Sequence, residues 1–472
     1  MLHAGDEVGS ETGPPAATPR WAGTTFAVLF AMNLLDYLDR NVLMSMQPQI
    51  KGEFHISNEQ WGLLASIFLV SYSVVSPAMG WLGDRYRRTW LLGLGVGVWS
   101  VATIGSGLAR NFGHLALARS VLGVGEATYG VIAPTLLLDL FARHQRARLL
   151  SAFYLAMPLG SALGLKLGAY VATRYDWHMA FFVAGVPSLL AALVALVLPE
   201  PVRGASEKVS VDRLRAHERA GATREDYLDL MVNASYTYSV IGMAAYTFAI
   251  GGMLVWVPNY LFNTRHFDQD RATSILSLVT FVAAILGMSI GGWLADRLAR
   301  SRPQALFIVP GVAMLGSIPF VLAALFATRG RVIFAAIFAA ETLMFINTGP
   351  CNAIIANVVQ PNLRAAAYAL AIFALHFLGD IWSPWMIGKA ADMFGDPVMM
   401  ASGVGRALQS LGAVPTRVSD HPPENIVAGL LIVVPALLLS GIVLLAGTRH
   451  LPREMALMQV KLRAAPPTKA SP

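Results

Sequence analysis

The hexapeptide Gly80-Trp81-Leu82-Gly83-Asp84-Arg85 returns 212 residues later as Gly292-Trp293-Leu294-Ala295-Asp296-Arg297. Each copy closes a long apolar run and opens a basic loop, with Arg87 and Arg88 after the first and Arg300 after the second. A repeat at matched places in two apolar patterns predicts two similar halves. Such internal duplication is the way many membrane transport folds are built.

The solvent around those halves is lipid. Only 13% of the 472 residues are charged and 55% are hydrophobic, with a mean hydropathy of +0.56. A soluble domain carries about 25% charged residues because its surface must be wet. The net charge of +7 does not point to nucleic acid, since the arginines are spread over short loops between apolar runs. The single cysteine, Cys351, lies inside an apolar run, so no disulfide framework and no CxxC metal or redox site is expected. A GxxxxGK[ST] phosphate loop and an HExxH pair are both missing. Neither an enzyme, nor a cofactor, nor a metal site is expected.

A spanning helix needs about 20 mostly apolar residues, and twelve stretches qualify. Six lie at roughly 21–46, 58–82, 90–109, 113–141, 147–172 and 178–198. Six more lie at roughly 233–262, 271–295, 304–327, 331–359, 364–392 and 425–447. The expected fold is all-α, with twelve transmembrane helices in two pseudo-symmetric six-helix bundles. Its parts are an N-terminal tail (1–20), a first bundle (21–198), a charged linker (199–231), a second bundle (232–447) and a C-terminal tail (448–472). Residues 1–20 lack the basic-then-apolar layout of a signal peptide. Lys and Arg number 22 in the tails and even-numbered loops against 9 in the odd-numbered loops. Both tails are therefore expected in the cytoplasm, in a bacterial-type inner (plasma) membrane.

Twelve spans, a central loop and the doubled hexapeptide resemble the major facilitator superfamily. Three further segments resemble its spinster family: Asn33-Leu34-Leu35-Asp36-Tyr37-Leu38-Asp39-Arg40, then Arg119-Ser120-Val121-Leu122-Gly123-Val124-Gly125-Glu126-Ala127, then His376-Phe377-Leu378-Gly379-Asp380. Glu341 and Asn347 in the tenth span fit that resemblance, whereas Thr348-Gly349-Pro350-Cys351-Asn352 departs from it. The resemblance implies a substrate that is a small amphipathic lipid, a lysophospholipid or sphingolipid, moved by alternating access. The other expected partners are protons and membrane lipids, with the chain acting as a monomer. Tyr37-x-Asp39-Arg40 is also similar to organic-anion symporters of the superfamily, so such a symporter, or a drug exporter, is the alternative. A non-transporting receptor or scaffold is the third reading.

Ionisable side chains inside spans cost about 2.5–3.5 kcal/mol each on insertion scales, and they usually face a cavity or a partner. Arg119 and Glu126, seven residues apart, share a helix face and are each expected to meet Asp39. A cation moving between two carboxylates would couple proton uptake to a change of conformation, with Glu126, Asp39 and Asp36 as proton carriers. A permanent ion pair that only orients helices is the plainer reading. Arg40 is expected to point to another face. Arg119, Glu126, Asp39, Tyr129, Glu341, Asn347, His376 and Asp380 are the expected substrate-binding residues. Gly160-x-x-x-Gly164 and Gly168 read as a helix-packing row, with Lys166 off it.

The resemblance implies a latch for the hexapeptides, in which each Asp pairs with an Arg and a helix N-terminus. Its expected residues are Gly80, Asp84, Arg85, Arg88 and Arg146 in the first half. In the second they are Gly292, Asp296, Arg297 and Arg364. Anchoring of the arginines on the cytoplasmic side is the simpler alternative.

Overall fold

The computed structural model describes residues 20–141, 149, 152–201, 230, 232–359, 364–417 and 422–464. The first bundle contains α1 (Ala22–Val42), the short α2 (Gln47–Phe54), α3 (Asn58–Arg85), α4 (Arg88–Ser106), α5 (Phe112–Leu140), α6 (Ala156–Arg174) and α7 (Trp177–Val197). The second contains α8 (Ala234–Asn259), α9 (Gln269–Ala299), α10 (Ala305–Phe326), α11 (Gly330–Phe345), α12 (Thr348–Val358), α13 (Arg364–Leu375) and α14 (Ser383–Met393). Two small helices, α15 (Pro397–Met400) and α16 (Gly403–Ser410), precede α17 (Ile426–Leu430), α18 (Val433–Gly447) and a terminal α19 (Leu451–Ala464). Among the described residues the only extended pairing is one bridge between Thr416 and Glu424.

Among the described residues, eleven helices are long and apolar enough to cross a membrane. Helix α1 has spanning length too, but Asn33, Asp36, Asp39, Arg40 and Asn41 crowd its second half. Such a helix is stable in lipid only when its polar face is turned to other helices. Asn33, Asp36, Asp39 and Asn41 are indeed buried. Large apolar side chains such as Val74, Leu94, Val101, Leu278 and Val312 are exposed on the outside. In water this pattern would be unstable, and in lipid it is the expected one.

Three spans that read as continuous are interrupted. The breaks fall at Ile346–Asn347, Ile381–Trp382 and Leu431–Ile432. Pro350, Pro384 and Pro435 follow them within four residues and have no amide to return to the preceding turn. In the second case a π-turn, His376–Asp380, precedes the break, and the Ile381 amide donates to the His376 carbonyl at 3.2 Å. Its consequence is felt at the site described below.

Helix α6 packs on α1 through its glycine row. A Cβ at Gly160, Gly164 or Gly168 would come within 2.4, 2.2 and 2.3 Å of Leu34 O, Leu38 O and Ser45 Oγ. Only hydrogen at these positions lets the two backbones touch. Lys166 is off the row and exposed.

The two bundles meet at one end. There Gln49 bonds Gln269 (2.8 Å), Arg174 pairs with Asp270 (3.2 Å) and Lys51 pairs with Glu424 (2.7 Å). At the other end, which carries both hexapeptides, Arg88 pairs with Asp139 and Glu200 inside the first bundle. The linker 202–229 lies outside the described residues. The expected C-terminal tail is in part a structured element: α19 buries Leu451 and Met458. Its Glu454 carboxylate accepts the first amides of α8, Ala234 at 3.0 Å and Ser235 at 2.8 Å. Negative charge on a helix N-terminus is stabilising because it meets unpaired amides and the positive end of the dipole.

Candidate functional site

The polar stripe of α1 is the foundation of the site. Asp36 and Arg40 are one turn apart and lie 3.4 Å from each other, Oδ2 to Nη2. The same Arg40 reaches across to α5, where Nη2 and Nε donate to Glu126 Oε2 at 2.5 and 3.0 Å. Glu126 is fully buried. The guanidinium is walled by the rings of Tyr37 (4.8 Å), Phe68 (4.9 Å) and Tyr72 (5.5 Å). Aromatic faces favour a cation and keep water off it.

This arrangement corrects two sequence expectations. Arg40 was expected to face away from the acidic pair, and it is the cation that binds Glu126. Arg119 and Glu126 were each expected to meet Asp39. Arg119 lies within electrostatic reach of both acids, yet none of its three guanidinium nitrogens is hydrogen-bonded, and it sits 4.9 Å from the Phe68 ring. Helix rotation explains both. Asp36 and Arg40, four residues apart, look toward Glu126, whereas Asp39 is turned toward α4 and accepts from the Thr103 hydroxyl.

Across the space between bundles, His376 Nδ1 lies 3.0 Å from both Asp380 oxygens. The imidazole stands edge-on to Tyr72, 6.0 Å between ring centres. Tyr72 therefore touches the Arg40 group on one side and the His376–Asp380 pair on the other. Sequence reasoning missed it, since one tyrosine among 13 carries no motif.

In the second bundle Glu341 is buried, and its Oε2 has no hydrogen-bond partner among the described residues. Asn347 is fully buried and its Oδ1 accepts from Cys351 Sγ at 2.6 Å. Tyr129, expected to line the cavity, is instead in the core of the first bundle. Its hydroxyl donates to Leu29 O at 2.6 Å and its ring packs edge-on against Trp99. Trp256 and Tyr260 are likewise spent on the carbonyls of Pro384 and Ala324.

A groove of about 390 Å³ runs along the seam of α3, α5 and α14. Leu63, Ile67, Val70, Ile381, Trp382 and Trp385 form its apolar wall, and Ser66, Ser71 and Ser120 supply its hydroxyls. Ile67 and Ser120 are chain neighbours of Phe68 and Arg119.

The family model of the Major Facilitator Superfamily matches residues 29–384. Protein spinster homolog 1 of Bos taurus is 38% identical over 384 residues, 78% of this chain and 72% of that protein. The Homo sapiens protein of the same name is 36% identical over 393 residues, 79% of this chain and 74% of that protein. This chain is a spinster-type member of the major facilitator superfamily. A solved bacterial homolog of the human lysosomal transporter Spinster, inward-facing and unoccupied, superposes with a TM-score of 0.80 at 21% identity. The match covers 92% of this chain and 98% of that one, and it shows the shared fold. The protein is thus an integral membrane transporter and not an enzyme.

In this spinster-type chain the hexapeptide residues lie as follows. Gly80 and Gly292 are near the ends of α3 and α9. Arg85 stacks on Trp81 at 3.8 Å, and Arg297 stands over Trp293 at 5.3 Å. Asp296 is exposed. Arg88 pairs with Asp139 (2.6 Å) and Glu200 (3.0 Å) of its own bundle. Glu200 also accepts the Thr89 amide at 2.9 Å and so caps α4. Partial burial pushes the Glu200 carboxyl up, but the Thr89 amide and the Arg88 guanidinium outweigh it and hold the group below its ordinary value. Arg146 and the side chains of Asp84 and Arg364 lie outside the described residues.

Proposed function

We propose that this spinster-type transporter moves an amphipathic lipid, a lysophospholipid or sphingolipid-like molecule, across the inner membrane by alternating access coupled to protons. The observation that carries the reading is Arg119, a buried arginine with no hydrogen bond of its own. An apolar groove with Ser120 in its lining is in the same bundle. Arg119 suits an anionic head, whose oxygens would satisfy its free N–H groups. The groove suits the chain attached to that head. The names of the relatives add support for the family but name no lipid.

Coupling would run through Arg40. While Glu126 is ionised, Arg40 is held on it. A proton on Glu126 removes that charge and frees Arg40 to turn to Asp36 or to the substrate. Tyr72 and the His376–Asp380 pair would carry the change to the second bundle. Glu341 and Asn347 are proposed to complete the polar wall of that bundle, and Asp39 to serve as a secondary proton carrier. The excess of Lys and Arg at the hexapeptide end supports a cytoplasmic position for it. The closed end then faces outward. We take the unit to be a monomer.

The test is reconstitution in liposomes with a labelled lysophospholipid, with and without an inward proton gradient. Gradient-driven movement that is lost in Glu126→Gln supports the proposal. Movement indifferent to both would refute the coupling. Competition by small carboxylates but not by lysolipids would favour the organic-anion alternative, for which the contact of Tyr37 with Arg40 is the supporting observation.

A further inference from the structure

The closed end contains a polar cluster that the transport site does not use. Lys51, at the end of α2, and Asn58, the first residue of α3, come from the first bundle. Asp392, at the end of α14, and Glu424, just before α17, come from the second. Lys51 Nζ donates to Glu424 Oε2 and to Asn58 Oδ1, both at 2.7 Å. Asn58 Nδ2 donates to Glu424 Oε2 and Asp392 Oδ1, again both at 2.7 Å. Asp392 then turns to the backbone of α3, accepting from the Asn58 amide at 3.2 Å and the Glu59 amide at 2.8 Å. Lys51, Asn58 and Glu424 are 4%, 1% and 2% exposed, so water is nearly excluded.

The backbones beneath the cluster are in contact. A Cβ on Gly62 would fall 2.1 Å from Pro384 O, and one on Gly388 would fall 2.2 Å from Asn58 O. No layer of solvent fits between α3 and α14 here. The helix start of α3 is divided between the two bundles. Its own Ser57 caps the Gln60 amide, while the Asn58 and Glu59 amides are satisfied by the other bundle's Asp392. When the bundles part, each of these donors and acceptors meets water, which replaces the lost bonds. The cluster is therefore a reversible closure rather than a permanent staple.

We infer that Lys51, Asn58, Asp392 and Glu424 form a latch that holds this end shut and sets the resting balance between the two open states. The inference rests on the alternating-access reading above, not on its lipid or its protons. Its charges are unequal, one ammonium to two carboxylates. Removing Lys51 leaves Asp392 and Glu424 facing one another through Asn58, so the closed state loses most from that change. Removing one carboxylate leaves Lys51 an acceptor in Asn58, and the closed state loses less.

The experiment uses the full chain in lipid nanodiscs without substrate. Spin labels are placed by cysteine substitution at Tyr175 and Val398, both well exposed and one in each bundle at the closed end. A second pair at Val197 and Leu298 reports the other end. Lys51→Met is expected to raise the population of long Tyr175–Val398 distances by about tenfold or more, as breaking a buried pair does. The Val197–Leu298 distances should shorten in step. Asp392→Asn and Glu424→Gln should shift in the same direction by less. The exchanged pair Lys51→Glu with Glu424→Lys should restore the short distances and guards against a folding defect. Unchanged distance distributions in Lys51→Met and Asp392→Asn, with the proteins monodisperse, would overturn the latch. Because no substrate is present, a shift here with no lipid transport elsewhere would leave the latch standing and sink the lipid proposal alone.

Discussion

Arg40 Nη2 stands 2.5 Å from Glu126 Oε2, tying the first membrane span to the fourth inside one bundle. The pair has unequal halves, since Glu126 is wholly enclosed while the Arg40 side chain keeps 21% exposure. The carboxylate is fixed in the dry interior and the cation is the part able to turn. Arg40→Ala would strand Glu126 without its counter-charge. We expect a loss of about 3–5 kcal/mol in stability at neutral pH, measured as a drop in Tm, and relief of part of it by the second change Glu126→Gln.

Arg119 separates binding from stability. It makes no hydrogen bond, so Arg119→Met should not lower Tm. If it receives the anionic head, the same variant should weaken lysophospholipid binding by roughly tenfold or more, the worth of a charge-assisted bond. Scintillation proximity binding beside a thermal melt reads both. Unaltered affinity would remove Arg119 from the site.

The groove predicts a dependence on chain length. Val70→Trp fills part of a cavity of about 390 Å³. Long-chain lysolipids should then compete less well than short-chain ones with the same head, whereas the parent protein prefers the long chain. Equal loss for all chain lengths would place the chain elsewhere.

Glu200 gives a pH dependence whose sign is fixed. Its carboxyl is held below its ordinary value by the Thr89 amide and Arg88 against the opposing effect of burial. Stability from such a group is present above the unfolded value, near 4.3 for a glutamate, and is lost as pH falls through the lower folded value. Because the side chain is 25% exposed, the difference between the parent and Glu200→Gln should be about 1 kcal/mol at pH 7. It should vanish in acid below the folded value. Melting curves across pH show it.

The cap at the start of α8 is similarly open to test. Glu454→Ala frees two amides and should cost about 1 kcal/mol. Hydrogen exchange at Ala234 and Ser235 should rise while that at the middle of α8 stays as it was.

Much of the fold was legible in the sequence. Twelve apolar runs, a repeat 212 residues apart and a glycine row on α6 are properties of period and composition, and these survive packing. The breaks in three spans are signalled by Pro350, Pro384 and Pro435, although the runs there read as unbroken. The polar residues of the site were visible because charge inside a span is costly. Their pairing was not. Which of Arg40 and Arg119 holds Glu126 depends on how α1 and α5 are rotated about their axes. That angle is set by contacts with neighbouring helices such as the α6 glycines, not by local pattern. Asp392 and Glu454 were passed over for a related reason. Asp392 at the edge of its span and Glu454 in the tail look ordinary until the helix start each completes, 334 or 220 positions away along the chain, is brought beside it.

That last separation has a consequence for biosynthesis. As the chain leaves the ribosome, α8 is threaded into the membrane with its first two amides open. The group that closes them is made only after every other span of the second bundle. The second bundle is thus sealed by a helix that follows its last span. A chain truncated before Glu454 would carry all twelve spans and still lack the bond that finishes the half it ends in.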